Sequence, residues 1–144
     1  MIQVSDLIEK KEELLEDMFW ILQNTGIVDY ESDMFDNLSD VEAVDFSRGS
    51  DGDQEVIEDL IEQVKELESV LNELKNYDSE DKALIPESDW LDYATDWFDD
   101  VYHEASQIAG VNEYLQIDYE LFADNLKVDS YQVEYEGENY WLSV

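Results

Sequence analysis

Carboxylate side chains are the groups in this sequence that could do chemistry. Along the stretch DWLDYATDWFDD, Asp92, Asp96 and Asp100 recur at four-residue steps, and Glu104 extends the row. Four residues of helix rise about 6 Å, so these side chains would face one another along one side of a helix. Like charges at this spacing destabilise a helix by about 0.2–0.5 kcal/mol per pair. No Lys or Arg lies between residues 83 and 126 to relieve the repulsion, so the row needs an explanation other than helix stability.

Catalysis and metal binding have little support in the sequence. Carboxylates are so abundant that a glycosidase-like acid/base pair cannot be argued from their presence. The loop SRGSDGDQEVIE does not have the ligand spacing of an EF-hand. His103 is the sole histidine and cysteine is absent, so neither a zinc site nor a thiol nucleophile is indicated. We therefore expect a protein that is not an enzyme and that needs no metal and no cofactor.

The overall composition indicates a folded protein with an extremely acidic surface. Asp and Glu number 40 against 7 Lys and Arg, for a formal charge of −33, while 44% apolar residues can supply a core. Such a charge repels nucleic acids and anionic membranes, so neither is expected as a direct partner. No apolar run approaches the roughly 18 residues of a membrane span. The first residues do not follow the plan of a signal peptide, so the expected location is the cytoplasm.

Two long amphipathic helices are predicted in the first half of the chain. The first spans residues 6–25, with Asp6 and Glu9 as a capping pair and a stop at Gly26. After one or two short helices and a loop over residues 47–53, the second helix spans residues 53–76 from a cap at Asp53. Its apolar residues form a heptad seam: Ile57, Leu60, Val64, Leu67, Leu71 and Leu74. The seam favours packing inside a helical bundle, and an intermolecular coiled coil or homodimer is the alternative.

The second half is predicted to combine a third helix with a β-hairpin. Residues 76–89 are interpreted as a connector, and the helix spans residues 87–109 and ends at Gly110. Its expected buried face is broad: Trp90, Leu91, Ala94, Trp97, Phe98, Val101, Ala105 and Ile108. A short helix over residues 117–126 begins at an Asp118 cap. Residues 131–144 alternate as a hairpin around Gly137, which needs helices or another strand for support.

These elements predict an α+β fold that is predominantly helical, with long amphipathic helices and a small C-terminal β-hairpin. Residues 1–80 form a helical N-terminal region and residues 84–144 form a C-terminal region. The two regions could also pack as one domain.

Regularly spaced carboxylates on ordered helices favour a mimic of nucleic-acid phosphates. Duplex DNA carries about one charge per 1.7 Å of axis, so a charge of −33 corresponds to about 56 Å of duplex. The expected function is an inhibitor that occupies the DNA-binding groove of a basic DNA-binding protein or enzyme. The alternatives are an acidic adaptor or chaperone for a basic protein, and a solvated acidic face that serves solubility or salt adaptation.

The candidate partner-binding residues lie on the third helix and in the segment after it: Asp89, Asp92, Asp96, Asp99, Asp100, Glu104, Glu113, Asp118, Glu120 and Asp124. A secondary acidic surface is expected on the second helix: Glu55, Asp59, Glu62 and Glu66.

The segment EYLQIDYELFADNLKV resembles the carboxy-terminal signature of ArdA-type antirestriction proteins. The matching residues are Ile117, Asp118, Tyr119, Phe122, Ala123 and Leu126, and the resemblance covers about residues 84–144. Asp124 and Asn125 occupy the positions where the family has Arg and Asp. The resemblance implies a phage or mobile-element protein in the host cytoplasm. Such a protein mimics bent DNA, occupies the DNA site of type I restriction–modification enzymes, and dimerises through its C-terminal domain. A CRISPR effector, a repair enzyme and a nucleoid protein are alternative targets.

Overall fold

The computed structural model of the protein describes residues 1–25, 35–42 and 51–144. The chain forms two compact units. The helical unit spans Val4–Glu80, and the mixed unit combines Met1–Gln3 with Asp81–Val144. The fold is α+β and mostly helical with a small antiparallel sheet, which confirms the predicted fold class.

The described part of the helical unit contains α1 (Val4–Asn24), α2 (Leu38–Glu42) and α3 (Asp51–Leu74), and a 3-10 turn follows α3 at Lys75–Tyr77. Both long helices begin two residues before their predicted starts. The predicted caps are therefore wrong, because Asp6 and Asp53 lie inside the first turns of the helices. Gly26 and residues 47–50 of the predicted loop lie outside the described residues, whereas residues 51–53 begin α3.

The core of the helical unit forms where α1 packs on α3, and α2 contacts both helices. Four of the predicted seam residues are buried in it: Ile57, Val64, Leu67 and Leu74. Leu60 and Leu71 are half-buried, and Val70, which the heptad pattern omits, is buried. A straight helix has 3.6 residues per turn, so its buried stripe drifts away from a strict heptad seam. The seam serves a core inside the chain, and an interchain coiled coil through it would require this core to open.

The sheet of the mixed unit has four strands in the order β1-β2-β4-β3, and all neighbours are antiparallel. The strands are β1 (Ile2–Gln3), β2 (Ala83–Pro86), β3 (Gln132–Tyr135) and β4 (Glu138–Leu142). The β3–β4 hairpin confirms the prediction, and β2 supplies the additional strand that the hairpin needs. The hydroxyl of Tyr140 donates to Glu138 Oε2 at 2.9 Å. The pKa of Tyr140 is raised mainly by burial and, to a smaller extent, by this hydrogen bond.

Strand β2 corrects the interpretation of residues 76–89 as a connector. Ala83, Leu84 and Ile85 are all buried, so the strand is covered on both faces and has no alternation in its sequence to reveal it. Pro86 closes the strand opposite Tyr140. The second missed strand, β1, has two residues, which is too short for any periodic pattern.

The mixed unit also contains α4 (Trp90–Val101), α5 (His103–Val111) and α6 (Tyr119–Leu126), with 3-10 turns at Glu87–Asp89 and Lys127–Asp129. The prediction of one continuous helix over residues 87–109 is wrong. The backbone leaves helical geometry at Tyr102, where φ is −112° and ψ is 45°. Gly110 does not end the segment, because α5 continues through Val111. The predicted buried face also ends early, and four of its members are exposed: Leu91, Val101, Ala105 and Ile108.

The same substitution at two glycines is expected to have opposite effects on stability. Gly137 lies in the hairpin turn at φ 79°, where a side chain is strained, whereas Gly110 lies within α5. An added Cβ meets no atom within 4 Å at either position. We expect Gly137→Ala to lower the free energy of unfolding by about 1 kcal/mol and Gly110→Ala to raise it by about 0.5 kcal/mol. Urea denaturation measures both, and equal effects of the two substitutions would contradict this account.

Candidate acidic partner-binding surface

Helix α4 presents the candidate surface because its other face is fixed in the core of the mixed unit. Trp90 is 2% exposed, and its indole N–H donates to the carbonyl of Ala123 at 2.8 Å. Trp97 stacks on Phe122 with ring centroids 5.9 Å apart, and Phe98 meets Phe122 edge-on at 5.0 Å. These contacts fix α4 against α6, so the outer face of α4 is held by an ordered scaffold.

The carboxylates of Asp92, Asp96 and Asp100 lie exposed along that outer face, and we call these three residues the α4 stripe. Two residues of helix correspond to about 200° of rotation, so Asp92 points away from Trp90 and Ala94. Among the described residues, none forms a hydrogen bond or an ion pair with a stripe carboxylate. Successive stripe residues are separated by about 6 Å along the axis. Within the part of the chain that the structure describes, the stripe is therefore a regular row of unpaired negative charges on a fixed helix.

The prediction that Glu104 extends this row is wrong. The break at Tyr102 separates α4 from α5, so the regular four-residue geometry ends at Asp100. Glu104 is exposed in the first turn of α5 and lies beside Gln107, Ile108 and Val111. At the other end of the stripe, Asp89 is exposed and its side chain makes no capping bond to α4.

Asp99 differs from its neighbours because its carboxylate is bonded within the protein. Its Oδ1 accepts hydrogen bonds from the hydroxyl of Ser106 on α5 at 2.7 Å and from the hydroxyl of Tyr119 on α6 at 3.0 Å. The residue is half-buried. Asp99 therefore connects three helices, and its first role is to position α5 and α6 relative to α4.

Two substitutions at Asp99 separate this positioning role from a role as a surface charge. Asp99→Ala leaves both hydroxyls without their acceptor, which is expected to lower the free energy of unfolding by about 1–3 kcal/mol. Asp99→Asn keeps an acceptor oxygen and is expected to cost less than half as much. Denaturation followed by circular dichroism compares the two variants. Equal stability of the alanine and asparagine variants would show that Asp99 does not position α5 and α6.

The remaining predicted residues of this set lie in the loop after α5 and on α6. Asp118 caps α6 by accepting from the N–H of Leu121 at 3.0 Å, which confirms the predicted cap. Glu113, Glu120 and Asp124 are exposed. Nine of the ten predicted partner-binding residues are therefore exposed, and Asp99 is half-buried.

Four of the six residues that carry the resemblance to ArdA-type proteins hold α6 in place. Tyr119 donates to Asp99, Phe122 packs against α4, and the carbonyl of Ala123 accepts from Trp90. Leu126 is buried in the same core. Packing thus accounts for these residue types within the mixed unit. Asp124 and Asn125, where the segment departs from the family signature, are exposed.

The predicted secondary acidic surface lies on α3 and therefore belongs to the helical unit. Glu55, Asp59, Glu62 and Glu66 are all exposed there. Ion pairs of the helical unit include Lys11 to Glu68 at 3.3 Å and Lys65 to Glu42 at 3.7 Å. The negative charge of this unit is therefore partly paired with cations, whereas no described cation pairs with the carboxylates of α4.

The sequence interpretation missed an exposed apolar surface on α5. Ile108 and Val111, with Glu104, Gln107 and Gly110, line an open concavity of about 710 Å³, which we call the α5 groove. The sequence pattern places Ile108 in the core only if residues 87–109 form one continuous helix, and the break at Tyr102 removes that condition. One feature of the sequence could have indicated this exposure: positions 105, 109 and 110 are Ala, Ala and Gly, so this end of the predicted helix has few large apolar side chains for a core.

The described residues contain neither a metal-binding cluster nor a helix that could span a membrane. No group of three or more His, Asp or Glu side chains in the described ranges is arranged to hold a metal ion. None of the described helices combines the length and apolar composition that crossing a membrane requires. Comparisons with protein-family models, curated proteins and solved structures found no match to the chain.

Proposed function

We propose that the protein is a DNA mimic that inhibits a basic DNA-binding protein by occupying its DNA groove. The observation that carries this proposal is the α4 stripe, a row of three exposed carboxylates on a fixed helix with no described cation beside it. Lys and Arg side chains that bind successive phosphates of DNA would find anionic groups at a regular spacing on α4. The inhibitor would act stoichiometrically and without catalysis.

The energetics of such binding follow from the charge of the chain. A net charge of −33 steers the protein toward a cationic groove and raises the association rate at low salt. The repulsion between stripe carboxylates destabilises the free protein slightly. Cations of the target would relieve that repulsion, so part of the cost would be recovered on binding.

The favoured target is a type I restriction–modification enzyme in the host cytoplasm, on the resemblance of residues 84–144 to ArdA-type proteins. The test is a titration in which the protein is added to a complex of that enzyme with a labelled oligonucleotide, at low and at physiological salt. The measured quantity is the fraction of oligonucleotide displaced. Polyglutamate of equal charge is the control. Displacement well beyond the control supports the proposal, whereas no displacement removes restriction as the function.

The second candidate is an acidic adaptor or chaperone for a basic protein, which the charge alone also favours. The two functions differ in where the protein binds. A mimic and DNA exclude each other from the target, whereas an adaptor can bind while DNA remains in place. A complex that contains target, DNA and this protein together would favour the adaptor.

A further inference from the structure

The α5 groove combines exposed apolar side chains with an acidic edge. Ile108 is 52% exposed and Val111 is 89% exposed, and Glu104 lies on the same face of α5. Tyr114 and Leu115, directly after the helix, are exposed as well. Clustered exposed apolar side chains with polar residues at their edge are typical of a surface that binds another macromolecule.

The groove is fixed in place from the opposite side of α5. Ser106 donates to Asp99 at 2.7 Å, and Ile108 follows two residues later, about 200° around the helix. The ring of Tyr102, at the break, lies 5.2 Å from that of Phe98. The apolar face of α5 is therefore directed outward by contacts on its inner face.

The charge around the groove determines which partner fits it. The resemblance to ArdA-type proteins implies a dimer through the C-terminal region, but a second copy of this chain would bring another net charge of −33 against Glu104 and the adjacent stripe, so a cationic partner fits the groove better. A partner with apolar side chains flanked by Lys or Arg would bury Ile108 and Val111 and also neutralise the acidic edge. The groove residues recur at positions 104, 107, 108 and 111, which is the spacing by which one helix packs along another.

We propose that the α5 groove docks a cationic amphipathic helix of the target protein. This inference rests on the proposed function, because it assigns the helix to the same basic protein that the α4 stripe engages. The stripe would supply charge attraction, and the groove would add an apolar contact that phosphate groups do not offer. The groove would thereby let the inhibitor distinguish its target from other proteins with basic grooves.

The probe for this test is a synthetic helical peptide with leucines on one face and lysines on the other. The controls are a peptide of the same composition with scattered leucines and a polylysine of equal charge. We expect the amphipathic peptide to bind at physiological salt at least about tenfold more tightly than either control. A double variant, Ile108→Ser with Val111→Ser, should weaken its binding about tenfold or more. Val128→Ser, at a residue 83% exposed in the same unit, should leave binding unchanged.

Three results would overturn the inference. The first is equal binding of all three peptides, and the second is binding that the double variant does not alter. The third is a dimer of the wild-type protein in sedimentation that the double variant dissociates, because a second copy would then fill the groove. Oligonucleotide displacement keeps the two proposals separate. Peptide binding without displacement overturns the inhibitor function alone, and displacement without selective peptide binding overturns the docking groove alone.

Discussion

Replacing the three stripe residues together, Asp92→Asn, Asp96→Asn and Asp100→Asn, is expected to weaken binding to a basic-groove target about 100-fold or more. If each carboxylate contributes about 1 kcal/mol, the three contribute about 3 kcal/mol, and each 1.4 kcal/mol is a factor of ten in affinity. The loss should be larger at low salt, where charge attraction is least screened. Competition against a labelled oligonucleotide at two salt concentrations measures the effect.

The same variant should be slightly more stable than the parent. Two like-charge pairs along α4 are removed, which returns about 0.4–1 kcal/mol. Part of this gain is lost again because Asp92 lies in the first turn, where the helix dipole favours a carboxylate. Weaker binding together with unchanged or higher stability would exclude unfolding as the cause of lost inhibition.

The chain offers a matched control for the stripe. Glu9, Glu13 and Asp17 are exposed at the same four-residue spacing on α1, in the helical unit. Glu9→Gln, Glu13→Gln and Asp17→Asn remove the same three charges from a helix outside the candidate surface. This control should retain binding within a few-fold of the parent. Equal losses in the two triple variants would mean that total charge, and not the α4 stripe, determines binding.

Trp90→Ala is expected to have the largest effect on stability. Trp90 is 2% exposed, and it packs against Tyr93 and Trp141 at ring-centroid distances of 5.1 and 6.0 Å. Removing a buried Trp side chain costs about 3–5 kcal/mol, and the carbonyl of Ala123 would also lose its donor. A domain is typically stable by about 5–15 kcal/mol, so the mixed unit would be close to unfolding.

Trp90→Phe provides the comparison for this substitution. It keeps an aromatic ring in the core but removes the N–H that bonds Ala123, so a cost of about 1–3 kcal/mol is expected. Hydrogen exchange of amides in α4 and α6 should increase far more in the alanine variant than in the phenylalanine variant. Loss of less than about 1 kcal/mol in Trp90→Ala would contradict the role of this residue as the anchor of α4.

The elements that could be predicted from the sequence are those whose pattern is local. The spacing of apolar residues in α1 and α3 follows from the one buried face of each helix. The alternation of apolar and polar residues in β3 and β4 follows from a sheet that has one buried and one polar face. The exposure of the stripe could also be anticipated, because Asp and Glu are rarely buried without partners. These features need no knowledge of distant residues.

The features that could not be predicted depend on contacts between distant residues. Asp99 differs from Asp96 and Asp100 only through hydroxyls that lie 7 and 20 residues away in sequence. The break at Tyr102 separates a helix that packs on α6 from a shorter one whose apolar face is exposed. Strand β2 is buried on both faces, so its sequence resembles a short apolar loop. Helical periodicity alone therefore overestimated the buried face and missed the groove.

The pairing of β1 with β2 has a consequence for the order in which the protein is made. Gln3 pairs with Ala83, so β1 is synthesised 80 residues before its partner. At about 5–20 residues per second, the interval is roughly 4–16 s. The whole helical unit is synthesised within that interval, while β1 is still without its partner strand. The sheet is complete only after β4 has been synthesised, so the helical unit can begin to fold before the sheet that packs beside α4 is complete.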